Sequence, residues 1–158
     1  MSDEVLAEVS ASAPRRWLGI VMLAFMGGLL IYVAFSTPPA LEWQLFLLGV
    51  GIAALLLAER MRRATSGVIE LTETEIRTSE GETIVAVADI EKVERGMFAF
   101  KPSNGFIIRT KSKGTRRWEP GLWWRIGRRV GVGGVTPGRQ TKYMSEVIAA
   151  LMVDRQAD

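Results

Sequence analysis

Two long apolar runs separated by a pair of prolines constrain this chain more than any other feature of its sequence. Residues 17–35 contain no charged side chain over 19 positions, and a helix of that length rises roughly 28 Å, close to the thickness of a bilayer's hydrocarbon core. Residues 41–58 are nearly as apolar, with polar side chains only in the first turn. Pro38 and Pro39 interrupt the helical pattern because proline has no backbone N–H to donate. The sequence therefore predicts a transmembrane helical hairpin within residues 15–63, with helices over 17–35 and 41–58.

The basic residues around these runs predict the orientation of the hairpin. Arginines precede the first run and follow the second, whereas the connecting loop has no lysine or arginine. The flanking arginines are Arg15, Arg16, Arg60, Arg62 and Arg63. Short loops rich in lysine and arginine stay on the cytoplasmic side of a membrane. We therefore expect a multi-pass protein of the cell inner membrane, with two spans and both termini in the cytoplasm.

Residues 1–14 are polar and acidic, and their composition predicts a mobile N-terminal tail. Arg15 and Arg16 followed by an apolar run also resemble a secretory signal peptide, with a candidate cleavage site at residues 34–36. Three features favour a retained membrane anchor instead. The first run is long, the residues before it are acidic rather than basic, and a second apolar run follows almost directly.

Small residues predict where the two helices touch. Ala24 and Gly28 are four residues apart on the first helix, as are Gly49 and Ala53 on the second. Small side chains with this spacing allow helix backbones to approach closely in a membrane. Glycine and alanine are also simply common in membrane helices, and the same faces could pack against a third helix of a larger assembly.

Beyond residue 67 the sequence changes to short segments of alternating apolar and polar residues, separated by turn residues. Such spacing is typical of an antiparallel β domain. The predicted strands are residues 68–71, 75–78, 83–87, 90–94, 97–100 and 106–110. The last two flank residues 102–105 (Pro-Ser-Asn-Gly), where Asn-Gly favours the positive φ angles of a tight hairpin turn.

An amphipathic helix is predicted to close this domain. Thr136 and Pro137 are the residue types of an N-cap and a first helical position. One apolar stripe with helical spacing follows at Met144, Val147, Ile148 and Leu151. The glycine-rich residues 130–135 lack the lysine and spacing of a phosphate-binding P-loop, and we interpret them as a last strand and turn. The predicted fold is a membrane α-helical hairpin plus a small, mostly β domain over residues 67–153, a barrel or sandwich closed by one C-terminal helix.

Three stretches of the soluble part also carry a family resemblance. They are residues 69–72 (Ile-Glu-Leu-Thr) with Ile76, residues 85–90 (Val-Ala-Val-Ala-Asp-Ile) with Val93, and the strand and helix over 132–152. With the two apolar runs, they make residues 17–152 resemble bacterial proteins that have two N-terminal transmembrane helices and a cytoplasmic pleckstrin-homology-like (PH-like) domain. That family usually has a tryptophan where this chain has Ala88. The resemblance implies a PH-like domain; such domains bind lipid headgroups or protein segments, and the function of the family itself is largely unknown.

The composition excludes several kinds of chemistry. The chain contains no cysteine and no histidine, so disulfides and metal sites built on thiolate or imidazole are excluded. The most common general base near neutral pH is also missing. Asp89, Glu91 and Glu94 are close in sequence, but carboxylates on a strand edge usually keep that edge soluble. We expect a protein that is not an enzyme and that has no cofactor and no metal site.

Positive charge is concentrated in the second half of the soluble part. Between Arg95 and Lys142 lie twelve basic residues and a single acidic one, Glu119. Within this segment, residues 109–129 interleave basic residues with three tryptophans. The candidate lipid- or partner-binding residues are Arg109, Lys111, Lys113, Arg116, Arg117, Trp118, Trp123, Trp124, Arg125, Arg128 and Arg129.

Three interpretations of this segment remain open. Lysine and arginine near a membrane bind anionic lipid headgroups, and tryptophan settles in the interface. Tryptophan and arginine are also frequent anchors of protein interfaces, as in an accessory subunit or assembly factor of a larger membrane complex. In the third interpretation the tryptophans cap the core and the arginines only solvate a face. We expect no nucleic-acid partner, because the anchoring membrane holds the domain beside a competing polyanion.

Overall fold

Helices and antiparallel strands make up most of the chain described by the computed structural model, which covers residues 4–36, 40–95 and 104–158. In chain order the elements are β1 (Ala7–Ser10), α1 (Ala13–Ser36), α2 (Leu41–Ala64), β2 (Val68–Leu71), β3 (Glu75–Thr78), β4 (Thr83–Ala86), a 3-10 turn (Val87–Asp89), β5 (Ile90–Glu94), β6 (Phe106–Glu119), β7 (Trp123–Val132) and α3 (Gly138–Ala157). The helical unit is Ala13–Arg63, and the β unit consists of the described residues before and after it.

The helical unit contains the two predicted apolar helices. Helices α1 and α2 have 24 residues each, and both are long and apolar enough to cross a membrane. The prediction of two long apolar helices is therefore confirmed. Pro38 and Pro39, which were expected to break the helical pattern, lie outside the described residues.

The seam between α1 and α2 differs from the predicted one. The buried residues of α1 are Ile20, Gly27 and Ala34, and those of α2 include Gly51, Ala54, Ala58 and Met61. These positions repeat every seven residues on α1 and at alternating steps of three and four on α2. This is the 3.5-residue period of left-handed helix packing.

Gly27 and Gly51 bring the two backbones together. A Cβ atom added to Gly27 would lie 2.8 Å from the carbonyl oxygen of Gly51, whereas Gly28 and Gly49 face open space. Ala53 is exposed and Ala24 is half-buried. The predicted packing pairs Ala24–Gly28 and Gly49–Ala53 are therefore wrong. The buried seam passes through Gly27 and Gly51, which are one and two residues away from the predicted Gly28 and Gly49.

Replacing Gly27 with leucine should weaken helix packing more than replacing its neighbour Gly28. The new side chain at position 27 would collide with the Gly51 backbone and with Leu55, and overpacking of this kind costs about 1–3 kcal/mol. Thermal unfolding of the full chain in detergent, followed by circular dichroism of the helices, would compare Gly27→Leu with the control Gly28→Leu. Equal destabilisation by the two variants would contradict this seam.

The β unit consists of two antiparallel sheets. The first sheet has the order β1-β2-β3-β4 and the second has the order β5-β6-β7. Within the described residues, no strand pairing joins the two sheets. Both sheets and α3 nevertheless share one apolar core, which includes Ile69, Leu71, Ile76, Phe106, Ile108, Val130, Met144 and Ile148. A small β domain with a C-terminal helix is thus confirmed.

Several predicted element boundaries move in the structure. The strand predicted over residues 106–110 continues to Glu119 as β6, and Val87 begins a 3-10 turn rather than ending a strand. The predicted strand at residues 97–100 and the first half of its turn, residues 102–103, lie outside the described residues, whereas Asn104 has the predicted positive φ, 50°. Helix α3 begins at Gly138 with Pro137 at the N-cap, one residue later than predicted. The N-cap Pro137 forms no side-chain hydrogen bond to the first turn, and the Thr136 hydroxyl donates to the carbonyl oxygen of Asn104 (3.3 Å).

The N-terminal segment is not the mobile tail that its composition predicted. Residues 7–10 form β1, which pairs antiparallel with β2, although the whole helical unit separates the two strands in the sequence. Val9 is completely buried and Ala7 nearly so, whereas Glu8 is exposed. The Ser10 amide donates to Oε1 of Gln140 in α3 (3.0 Å). The prediction was wrong for these residues because their stabilising partners are about sixty positions or more away, beyond the reach of local composition.

Candidate functional site

Strands β6 and β7 form a long hairpin that folds back on itself. A straight strand from Leu122 to Gly133 would span roughly 35 Å at its usual rise per residue. Instead, the Gly133 amide donates to the carbonyl oxygen of Leu122 (2.8 Å), and the Val135 amide donates to that of Gly121 (3.0 Å). The tip of the hairpin therefore returns to the loop after β7. We call residues 106–132 the folded ribbon.

A pair of glycines lies where the ribbon bends. Gly114 of β6 is opposite Gly127 of β7, and the strand register shifts on both sides of Gly114. Gly127 has a φ of 60°, a left-handed conformation that glycine adopts easily. The guanidinium group of Arg125 occupies the space that a Cβ atom of Gly114 would need. The bend, residues 111–117 and 125–129, therefore contains most of the basic residues of the predicted site.

Carboxylates fasten the bend to the segment around β5. Asp89 accepts hydrogen bonds from the amide (3.1 Å) and the hydroxyl (2.6 Å) of Ser112. Glu91 accepts from Nη2 of Arg128 (2.8 Å). These contacts assign a positioning role to two of the carboxylates that the sequence grouped together.

The structure divides the basic residues of the predicted site into two sets. One set is held by other protein groups, either carboxylates or backbone carbonyl oxygens; its members are Lys111, Arg117, Arg125 and Arg128. The other set forms no hydrogen bond or ion pair with any described residue; its members are Arg109, Lys113, Arg116 and Arg129. Only the second set is free to bind an external anion without breaking a described contact.

Arg117 is the most strongly held member of the first set. Its guanidinium group forms two hydrogen bonds with Glu82 (2.5 and 3.2 Å) and one with Glu119 (3.2 Å). It also lies over the Trp123 ring, 5.7 Å from the centroid. Burial alone would lower the pKa of Arg117, but the two carboxylates outweigh it and raise that pKa. Arg117 therefore joins β6 to the turn before β4 as a fixed cation.

The three tryptophans have different environments. Trp123 is 4% exposed and belongs to the core. Trp124 is half-buried, and its indole packs against Gly131. Trp118 is 49% exposed, and Ile126 nearby is 55% exposed. The interpretation in which tryptophans cap the core thus fits Trp123 but does not account for Trp118.

Trp118 and Ile126 form an apolar surface beside the free cation Arg116. Together with Trp124, Arg116 and Arg117 they line an open cleft of about 370 Å³. We call Arg116, Trp118 and Ile126, together with the exposed free cation Lys113 three residues before Arg116 in β6, the bend patch. Ile126 was not predicted as a site residue, although a large apolar residue between arginines in the basic segment was a signal that could have found it.

The chain matches no protein-family model, and no curated protein or solved structure is significantly similar to it.

Proposed function

We propose that this protein is a two-span inner-membrane protein whose β unit binds the anionic surface of the membrane, with both termini in the cytoplasm, and that it acts by binding rather than by catalysis. The observation that carries this proposal is the bend patch, where exposed Trp118 and Ile126 line a cleft with the free cation Arg116, and the free cation Lys113 lies three residues earlier in β6. Basic residues near anionic lipid contribute roughly 1 kcal/mol each. Indole rings settle at headgroup level, so the two kinds of residue support the same surface.

The connection between the units supports a shared side for both chain ends. Strand β1 precedes α1 and pairs with β2, which follows α2. Two spans return the chain to the side on which it began, so both segments reach one compartment. The arginines at residues 15–16 and 60–63 then favour the cytoplasm. The links are short, with Ala11 and Ser12 before α1 and residues 65–67 after α2, and a short tether gives the bend patch a high effective concentration at the membrane.

We also propose that the β unit is a PH-like domain, as the sequence resemblance implies. Its order of strands followed by one C-terminal helix supports this assignment. PH-like domains bind lipid headgroups or protein segments, so the assignment agrees with the proposed activity.

A single fluorophore at the bend would test lipid binding. The chain has no cysteine, so Thr115→Cys, an exposed position between Lys113 and Arg116, provides a unique attachment site. In bilayers containing phosphatidylglycerol, brominated lipids should quench this label; in purely zwitterionic bilayers they should not. Replacing Lys113 and Arg116 with glutamine should shift the bound-to-free ratio by roughly 30-fold, from about 1 kcal/mol per charge.

The same label at Glu73→Cys, in the exposed turn between β2 and β3, is the matched control and should remain unquenched. Added salt should reduce quenching at position 115, since screening weakens exposed charges. Quenching that is equal in zwitterionic bilayers, or unchanged by salt, would refute the proposed function.

The apolar cleft favours a second candidate function, docking to a larger membrane protein complex. Trp118, Trp124 and Ile126 offer the kind of pocket in which interface anchors cluster. In this case Trp118→Ala should abolish co-purification of a partner in mild detergent, whereas the Lys113/Arg116 glutamine variant should retain it. Recovery of the protein alone, as monomer or homo-oligomer, would contradict docking.

A further inference from the structure

Three basic residues lie in register across the second sheet. Lys92 of β5 is directly opposite Arg109 of β6, and Arg109 is directly opposite Arg129 of β7. Directly opposite residues in a sheet point to the same face. Their sequence neighbours Ile108 and Val130 are completely buried in the core, so these cations are on the outer face. We call Lys92, Arg109 and Arg129 the basic row.

The basic row works against the stability of the sheet. Adjacent strands are about 4.8 Å apart, and like charges directly opposite one another are destabilising. Glu94 offsets part of this repulsion. It forms an ion pair with Lys92 (2.9 Å), and that contact, followed by the charges of Arg109 and Arg129, lowers the pKa of Glu94. One carboxylate against three cations leaves the row with a net positive charge.

Apart from this electrostatic attraction to Glu94, no described contact explains the two arginines as structural residues. Arg109 and Arg129 form no hydrogen bond or ion pair with any described residue. Arg129 is exposed, Arg109 is half-buried, and the Lys92 side chain is 51% exposed, so the row is accessible from solvent. Paired guanidinium groups match the oxygen atoms of phosphate with two parallel hydrogen bonds each, better than lysine does.

We propose that the basic row binds a phosphate group, held between the guanidinium groups of Arg109 and Arg129 with Lys92 at one end. This site is distinct from the bend patch and includes a strand, β5, that the sequence analysis did not assign to binding. The phosphate belongs either to a phospholipid headgroup or to a soluble phosphate ester. Bound phosphate would replace the repulsion within the row by attraction, which accounts for a row that otherwise costs stability.

Thermal unfolding of the full chain in a neutral detergent would test the site. With Trp17 and Trp43 replaced by phenylalanine, the remaining tryptophans all lie in the β unit and report its unfolding. Inorganic phosphate, compared with chloride at equal ionic strength, represents the soluble source. Micelles containing phosphatidylglycerol, compared with neutral micelles, represent the lipid source. A rise in the melting temperature Tm with either source supports the proposal and identifies which source the site accepts.

The variant Arg109→Gln/Arg129→Gln separates binding from structure. Without phosphate its Tm should be higher than that of the parent by roughly 3 °C, because the repulsion is relieved, and its phosphate-dependent shift should be lost. The control variant Lys113→Gln/Arg116→Gln removes the same number of charges. If the site accepts inorganic phosphate, this control should retain the whole phosphate-dependent rise in Tm. If the site accepts only the lipid source, the control should retain part of the rise in Tm caused by phosphatidylglycerol.

Three results would overturn the proposal: no shift with either source, an equal shift in the Arg109/Arg129 variant, or a lower Tm of that variant without phosphate. None of these results depends on the label at position 115, so the phosphate site at the basic row and the lipid binding of the bend patch can be refuted independently.

Discussion

Replacing Val9 with aspartate is expected to unfold the β unit of a protein whose helices remain intact. Val9 is completely buried in the shared core, and its partner in β2 is Ile69. A carboxylate at this position has no cation to pair with in the described core, so its burial costs several kcal/mol. A loss of about 3–5 kcal/mol is comparable to the whole stability of a small domain.

Urea unfolding in the Trp17→Phe/Trp43→Phe background would measure this loss in the β unit alone. The matched control is Glu8→Gln, one position away in β1 and exposed, which should change stability by less than about 0.5 kcal/mol. Val9→Ala should fall between the two, at about 2 kcal/mol. If Val9→Asp unfolds at the same urea concentration as the parent protein, β1 is not part of the fold.

A second large effect is expected where the tip of the folded ribbon returns to its base. Gly134 has a φ of 142°, and a Cβ atom there would lie 2.5 Å from the carbonyl oxygen of Gly121. Gly134→Ala combines an unfavourable backbone conformation with a collision against the backbone. We expect a loss of about 3 kcal/mol or more, and the tip should separate from the loop after β7.

Gly81→Ala isolates the conformational part of that effect. Gly81 has a φ of 95°, but nothing lies within 4 Å of a Cβ atom placed there. Its replacement should therefore cost only about 1 kcal/mol, measured by the same urea unfolding. If the ribbon positions the bend patch, Gly134→Ala should also reduce lipid quenching of the label at position 115, whereas Gly81→Ala should not. Equal costs for the two variants would contradict the docked tip.

Local patterns in the sequence were enough to predict most of the regular elements. The apolar runs correctly predicted α1 and α2, because hydropathy over twenty residues depends on no distant partner. Alternation correctly predicted β2, β3 and β5, and the stripe with Met144 and Ile148 correctly predicted the buried face of α3.

Features that depend on distant partners were missed. Strand β1 is too short and polar to predict alone, and Val9 becomes a core residue only by pairing with β2. The helix seam passes through Gly27 rather than Gly28, a choice that depends on the facing helix, since both residues are equally small.

The predicted site shows the same limit. Charge and tryptophan content identified the right segment, but not which cations were available. Arg117 is held by Glu82, 35 residues away, and Arg128 by Glu91, 37 residues away. Sequence spacing alone does not show such pairs, nor the register that aligns Lys92 with Arg109 and Arg129.

The central feature of the fold is one β domain built from chain segments on both sides of the helical unit. Glu8 and Glu70 are directly opposite each other in β1 and β2, and opposite residues in an antiparallel pair have Cα atoms about 4.5–5.5 Å apart, within the range of a disulfide. In native membranes treated with an oxidant, Glu8→Cys/Glu70→Cys should form an intramolecular disulfide, detected by mass as two thiols protected from alkylation until reduction. The control Glu8→Cys/Thr115→Cys should leave both thiols open to alkylation. Free thiols in the first variant, or equal protection in both, would contradict the account.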